Sequence, residues 1–435
     1  NGLALHFVSK ALKSDREVVL AAIQTHGSAL LFAGEELRQD REFVLTALSY
    51  NGTALQFATA DLRRDKDVVL AAVCWSGSAL QYAAAELKRD REFALVAVSW
   101  SGVALRFVSK DLQDDYDVVL TAVKENGLAL QFASSRLQND RNIASVAIAK
   151  DGVSLQFASD AIKQDRVLVN LALEQNPGVL QYASLELRSD RSIVLPAVNK
   201  EGMMLQFASE ELRQDEQVVL AAVSQAGNAL RWASKTLRRN SDVVMAALRQ
   251  SGCSLQFAAE ELRGERDLVL SAVSKDGSVL EFATDALRAD PEVVLIAVMQ
   301  CGAALEYAAE GLRGSSDLVL AALRQSGSAL QFASWELRRD RDIVLTAVSK
   351  DGMMLKIAGD ALQRDREVVL FAVMQSGCAL QFASQELRAD PEVVRAALSQ
   401  DSAAWAFAGR QLFGNETELG RELQLAQSAS EGNKR

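Results

Sequence analysis

The chain repeats itself every 25 residues without a single insertion, and that periodicity limits its fold more than any other feature of the sequence. Glycine recurs at 2, 27, 52, 77 and onward to 377, and only Pro177 and Ser402 interrupt a column of 17. With that glycine as position 0, Leu holds +3 in 16 of 17 repeats, from Leu5 to Leu380, and Trp405 replaces it in the last. Position +5 is aromatic everywhere except at Ile357, +6 is Ala except at Val8 and Val108, and +10 is Leu except at Ile162. Seventeen units account for residues 1–425 and leave a polar tail, 426–435.

Spacings of three and four place +3, +6 and +10 on one stripe of a helix, here helix A. Gly264, Gly314 and Gly414 stand at +12, where a residue just past a helix end takes positive φ cheaply. Position +13 is Asp in 13 repeats, a residue type that caps helix starts, and Pro291 and Pro391 follow it at the first helical position. A second helix, B, is therefore predicted to begin there. Its apolar residues fall at +16, +17, +20 and +21, as in Val18, Val19, Ala22 and Ile23, and the next column glycine is predicted to end it.

Two helices of about ten residues cannot bury both their stripes alone, so neighbours must supply the missing surface. The expected fold is all-α: an elongated, superhelical α-solenoid of 17 tandem helical hairpins, one continuous body over 1–425. The first hairpin lacks a preceding helix B, and the chain starts with Asn inside a repeat, so a preceding segment is expected. The last repeat, 402–425, departs from the pattern at Trp405, Phe413 and Glu422 and reads as a degenerate C-terminal cap.

The phrase from Gly327 to Val348, G-S-A-L-Q-F-A-S-W-E-L-R-R-D-R-D-I-V-L-T-A-V, resembles the tandem repeats of domain-of-unknown-function family four-one-one-six, whose unit spans about two of these 25-mers. The D-x-x-V-x-x-A-V stretch is also similar to leucine-rich variant repeats, α-solenoids with alternating helix types, which leaves open a 3₁₀ portion in helix A or B. The first resemblance implies the fold and no activity.

No recurring constellation of catalytic groups emerges. His6 and His26 are the only histidines, and no Cys or Ser is placed repeatedly to pair with them. Cys74, Cys253, Cys301 and Cys378 show no C-x-x-C spacing and read as reduced thiols without a disulfide partner, in keeping with an intracellular, reducing compartment. Glu35-Glu36, Glu210-Glu211 and Glu260-Glu261 recur in register, as a solvated face does, and the glycines form no phosphate-binding fingerprint. No catalytic residue, metal ligand or cofactor is expected, and no apolar run reaches the roughly 18–20 residues of a membrane span.

Charge weighs against nucleic acid: 47 Lys and Arg against 57 Asp and Glu give a net −10. Lys or Arg fills +11 in 13 repeats and +14 in ten, but Asp at +13 and Asp or Glu at +15 run alongside, so local ion pairing is the simpler account.

Departures from the repeat are more informative. Position +23 is normally Gln, Lys or Glu, yet three consecutive repeats carry Tyr50, Trp75 and Trp100, rings predicted to line up at roughly 10 Å intervals on one face. Exposed aromatics of this kind mark partner contacts. Farther on, Ser145 and Asn170 replace Leu at +18, Pro177 replaces the column glycine and Pro196 falls inside helix B, which predicts a kink or notch. The expected function is that of a non-enzymatic scaffold or accessory subunit binding a protein or multi-subunit complex. The alternatives are an RNA-binding repeat using the Arg and Lys columns and an accessory domain of a longer enzyme.

Overall fold

The computed structural model describes residues 2–409 and Leu412, and every regular element among them is helical. The chain divides into two compact units, Asn1–Leu212 and Arg213–Arg435, each a run of the same 25-residue repeat. The fold is an all-α repeat, as the periodicity predicts.

Helix B forms as expected, for example over Lys66–Trp75 and Tyr116–Glu125 in the first unit and Pro291–Gln300 in the second. The Asp65 carboxylate accepts from the backbone N–H groups of Asp67 and Val68 at 2.9 and 3.1 Å, satisfying donors that the helix start leaves orphaned. Pro291 and Pro391 occupy the first helical position, where no N–H is needed. The predicted stripe is the core: Val68, Val69, Ala72 and Val73 are all fully buried. Each such Val contributes about 1.5–3 kcal/mol by leaving water.

Helix A is not one helix. The column glycine opens a six-residue 3₁₀ helix that ends at the aromatic, as in Gly77–Tyr82 and Gly127–Phe132. Ala at +6 is then extended, with Ala133 at φ −68° and ψ 158°, and a short second turn follows, such as Ser135–Gln138. The break has a cause outside the repeat. The backbone N–H at +7 donates to the carbonyl at +11 of the repeat before: Ser134 to Gln113 at 2.8 Å, Ser184 to Lys163 at 3.0 Å, Ser334 to Arg313 at 2.9 Å. A continuous α-helix would spend that N–H internally. Ser at +7 also caps the short turn, its Oγ accepting from the +10 N–H at 3.3 Å in Ser134 and Leu137.

The glycines differ from expectation in their reason. Among the described residues none has positive φ, so Gly264 and Gly314 are not left-handed caps; Gly414 lies outside the described residues. The column glycine is required by proximity: a Cβ on Gly52 would lie 2.5 Å from the Ala72 carbonyl oxygen, and one on Gly277 only 2.0 Å from that of Ala297. Helix B ends one residue earlier, at an extended residue such as Ser76 or Asn126.

The mid-chain departures keep the helices intact. Helix B runs unbroken over Arg141–Lys150, Arg166–Gln175 and Arg191–Lys200, the last with Pro196 inside it. Ser145 and Asn170 sit on the outer side of their helices and remove nothing from the core. Pro177 begins the 3₁₀ helix Pro177–Tyr182, at a position suited to a residue without an N–H. Of the predicted cap, Trp405 belongs to the 3₁₀ helix Ser402–Phe407 and is part exposed, whereas the Leu it replaces is fully buried in repeats such as that of Leu380; Phe413 and Glu422 lie outside the described residues.

Candidate functional site

The two basic columns have opposite fates. At +14 the side chain reaches the carboxylates of the next repeat: Arg41 to Asp65 at 2.8 Å and Asp67 at 2.7 Å, Lys66 to Asp90 at 2.5 Å, Arg91 to Asp115 at 2.7 Å and Asp117 at 2.5 Å. The second unit continues the pattern from Arg341 to Asp365 at 2.9 Å. The hydrogen bonds from Arg41, Lys66 and Arg91 hold Asp65, Asp90 and Asp115 below the usual carboxylate range, against the pull of partial burial, and backbone N–H groups add to the effect. Local ion pairing is what the sequence predicted, and here it is observed.

The +11 column is not paired in this way. Where +11 is Gln, and at Lys13 and Lys88, it returns to the end of its own 3₁₀ helix: Gln113 donates to Leu105 O at 3.0 Å and Arg106 O at 3.1 Å, and Lys13 to His6 O at 2.9 Å. Where it is Arg, the Nε is buried and partnerless in nine repeats, from Arg38 to Arg388, although each residue stays part exposed. Only Arg288, among the described +11 residues, is held by a carboxylate, that of Asp285. These arginines line shallow clefts together with the aromatic, Ala and Ser of the following repeat, as Arg63 does with Tyr82 and Ala83.

At +23 the polar residues are more than a solvated face. Gln175 donates through Nε2 to Ile148 O at 3.0 Å and Ala149 O at 3.1 Å, the last carbonyls of the preceding helix B, and accepts from Gly152 N–H at 2.8 Å. Lys200 reaches Glu174 O at 3.0 Å, while Lys275 and Lys350 reach Arg249 O and Arg324 O. In these repeats the residue caps the negative end of its neighbour. Tyr50, Trp75 and Trp100 end their helices at this position and make no such bond among the described residues. Their rings are 50%, 65% and 48% exposed, with exposed Val96 one turn from Trp100 on the same helix. The sequence singled out these three residues; it did not show that the position can hold a donor that reaches the neighbouring helix end.

The remaining candidates gather no chemistry. His6 packs its ring 4.7 Å from that of Phe32, and His26 begins a 3₁₀ helix without a side-chain cap. All four cysteines are free; Cys253 donates to Asp276 at 3.3 Å and Cys378 to Asp401 at 3.1 Å. Burial and the Asp276 carboxylate push the Cys253 thiol up, and the Asp401 hydrogen bond does the same for Cys378, so both are held in the unreactive protonated form. Among the described residues no group of three or more His, Cys, Asp or Glu is placed to hold a metal ion, and no helix is long and apolar enough to cross a membrane.

A family model described as a domain of unknown function (DUF4116) matches residues 1–38, 15–63, 40–88, 65–113, 115–163, 165–213, 190–238, 215–263, 265–313, 315–363 and 365–412. Most of these matches span about two 25-residue units, the length of one family repeat. A comparison with curated proteins found no match.

Proposed function

The chain belongs to this family of domains of unknown function (DUF4116), and from that premise we propose that it is a non-catalytic helical-repeat scaffold that captures a protein partner on the face carrying Tyr50, Trp75 and Trp100. One observation carries the reading: three consecutive repeats expose a ring at the position from which Gln or Lys reaches the preceding helix end in repeats such as those of Gln175 and Lys200. A ring at +23 offers the preceding helix end no such donor, and places an aromatic face beside its carbonyls instead. Carbonyl oxygens and ring faces both attract cations, so the partner segment carries Lys or Arg, in keeping with the net −10 of this chain.

Replacing Trp75 and Trp100 together with Gln places there the residue that reaches the preceding helix end at Gln175 and Gln400. Proteins that co-purify with the natural chain should be lost from the double variant, while its thermal midpoint stays within about 2 °C, since surface changes of this kind are worth about 0.5 kcal/mol or less. Retention of every co-purifying protein would rule the reading out.

A second reading, an RNA-binding repeat, is favoured by the unpaired +11 arginines. Acidic residues at +9, such as Glu86 and Glu336, line the same clefts and weigh against it. Labelled single-stranded RNA is expected to show no mobility shift at 150 mM salt. A shift that weakens with salt and disappears in Arg213→Gln with Arg238→Gln would put RNA first.

A further inference from the structure

One cleft along the +11 column lies between the repeats that start at Gly302 and Gly327, with a volume of about 500 Å³. Two glycines open it. Position +9 is Glu in many repeats and Gly311 here; position +12 is Gly314. Neither needs to be glycine for the backbone: Gly314 has φ −93°, and a Cβ on Gly311 would meet nothing within 4 Å. On Gly314 the nearest atoms would be at ordinary contact distances, 3.5 Å and beyond, so the missing side chains leave space without relieving a clash. The same repeat also lacks the usual Asp and Arg of the ion-pair ladder, having Ser315 and Ser316 in their places.

Three residues that line this space each hold a buried polar atom without a partner: Arg313 Nε, Arg338 Nε and Ser334 Oγ. Beside them stands Trp335, 60% exposed, with the Arg339 guanidinium 5.1 Å above its ring. The Arg Nε alone does not distinguish the cleft, because it recurs in other repeats. The conjunction with the two glycines, the serine and the ring does. The cleft of about 470 Å³ lined by Arg106 and Phe132 lacks it, since Gln113 there is engaged with backbone carbonyls.

Guanidinium and hydroxyl donors call for an anion, and an exposed indole calls for a flat apolar surface. Glu310 and Glu336 line the cavity as well and oppose a group with two negative charges. We infer that the cavity binds a monoanionic carboxylate joined to a flat ring, either a free aromatic acid or an acidic side chain next to an aromatic one in a peptide. The site belongs to the second unit, Trp75 to the first, and the inference is independent of the scaffold reading.

The test follows the indole N–H signal of Trp335 in the whole chain, identified by its loss in Trp335→Phe. The probes are 3-phenylpropionate and the blocked dipeptide acetyl-aspartyl-phenylalanine amide. Their controls are 3-phenylpropanamide, which has the ring without the charge, and adenosine monophosphate. The expected result is that at least one carboxylate probe shifts the signal with a Kd of about 1 mM or tighter, the range open to ligands of this size. The neutral amide and the nucleotide should bind at least tenfold more weakly. The tighter of the two carboxylates identifies the source, free acid or peptide. Gly311→Gln with Gly314→Gln fills the space with good helix formers, and should abolish the shift without lowering the thermal midpoint. No shift with either carboxylate, equal binding of the neutral amide, tighter binding of the nucleotide, or an undiminished shift in the filled variant would each overturn the inference.

Discussion

Gly277→Ala is expected to be among the most damaging single methyl additions available in the second unit, costing about 3 kcal/mol or more. The new Cβ would lie 2.0 Å from the Ala297 carbonyl oxygen, 2.9 Å from its carbon and 3.0 Å from the Cys301 nitrogen. All three are backbone atoms of helix B or its end, so no rotamer change can relieve the contact. The matched control is Gly311→Ala, whose Cβ meets nothing and whose removal of a helical glycine should stabilise by up to about 1 kcal/mol. Urea unfolding of the two variants measures the difference directly. Equal midpoints would show that the column glycine is not there for close approach.

Acid should loosen the whole array, because its carboxylates are engaged in repeat after repeat. Asp65, Asp90 and Asp115 are lowered chiefly by their basic partners; at Asp365 and Asp390 burial opposes, and the hydrogen bonds from backbone and Arg outweigh it. A carboxyl whose folded pKa lies below its unfolded value of about 3.9 stabilises fully above that value and loses the contribution as pH falls through the folded pKa. The thermal midpoint is therefore expected to hold between pH 8 and pH 6 and to drop by roughly 10 °C or more by pH 3. A flat profile down to pH 3 would mean that these contacts contribute nothing to stability. Added salt at neutral pH should have a much smaller effect, since the Asp residues also cap helices through short-range backbone bonds.

The sequence was legible where one residue type answers to one local requirement. Asp at +13 and Pro291 after Asp290 marked the start of helix B, and its buried stripe followed from spacing alone. Helix A misled because +3, +6 and +10 have helical spacing whether or not the chain between them is continuous. Its break is set by a hydrogen bond to another repeat, which a single period does not display. Two signals were present: the resemblance to leucine-rich variant repeats left room for a 3₁₀ portion, and Ser134, Ser159 and Ser184 stand three residues before the buried +10 side chain, the offset of a helix cap. The +12 glycines were assigned a left-handed backbone they do not adopt, and the column glycine was read as a helix end when it serves close approach, a distinction that composition does not carry.

The candidate sites divide in the same way. Tyr50, Trp75 and Trp100 stood out because they break a column, and the structure places all three rings in solvent. The cavity beside Trp335 went unread, since Gly311, Gly314 and Trp335 occupy different columns and come together only across a junction of repeats. The +11 and +14 arginines look alike in the sequence, and only geometry separates the partnered set from the other.

The bond from the +7 N–H to the preceding +11 carbonyl is made by main chain alone, so its strength does not depend on which side chains happen to adjoin. Joints of that sort are interchangeable. Excising or duplicating a whole 25-residue block regenerates the same seam, and the number of blocks can drift in a lineage without any compensating substitution. Spacing between two specialised blocks then becomes adjustable in fixed increments, much as a ruler is lengthened by another division.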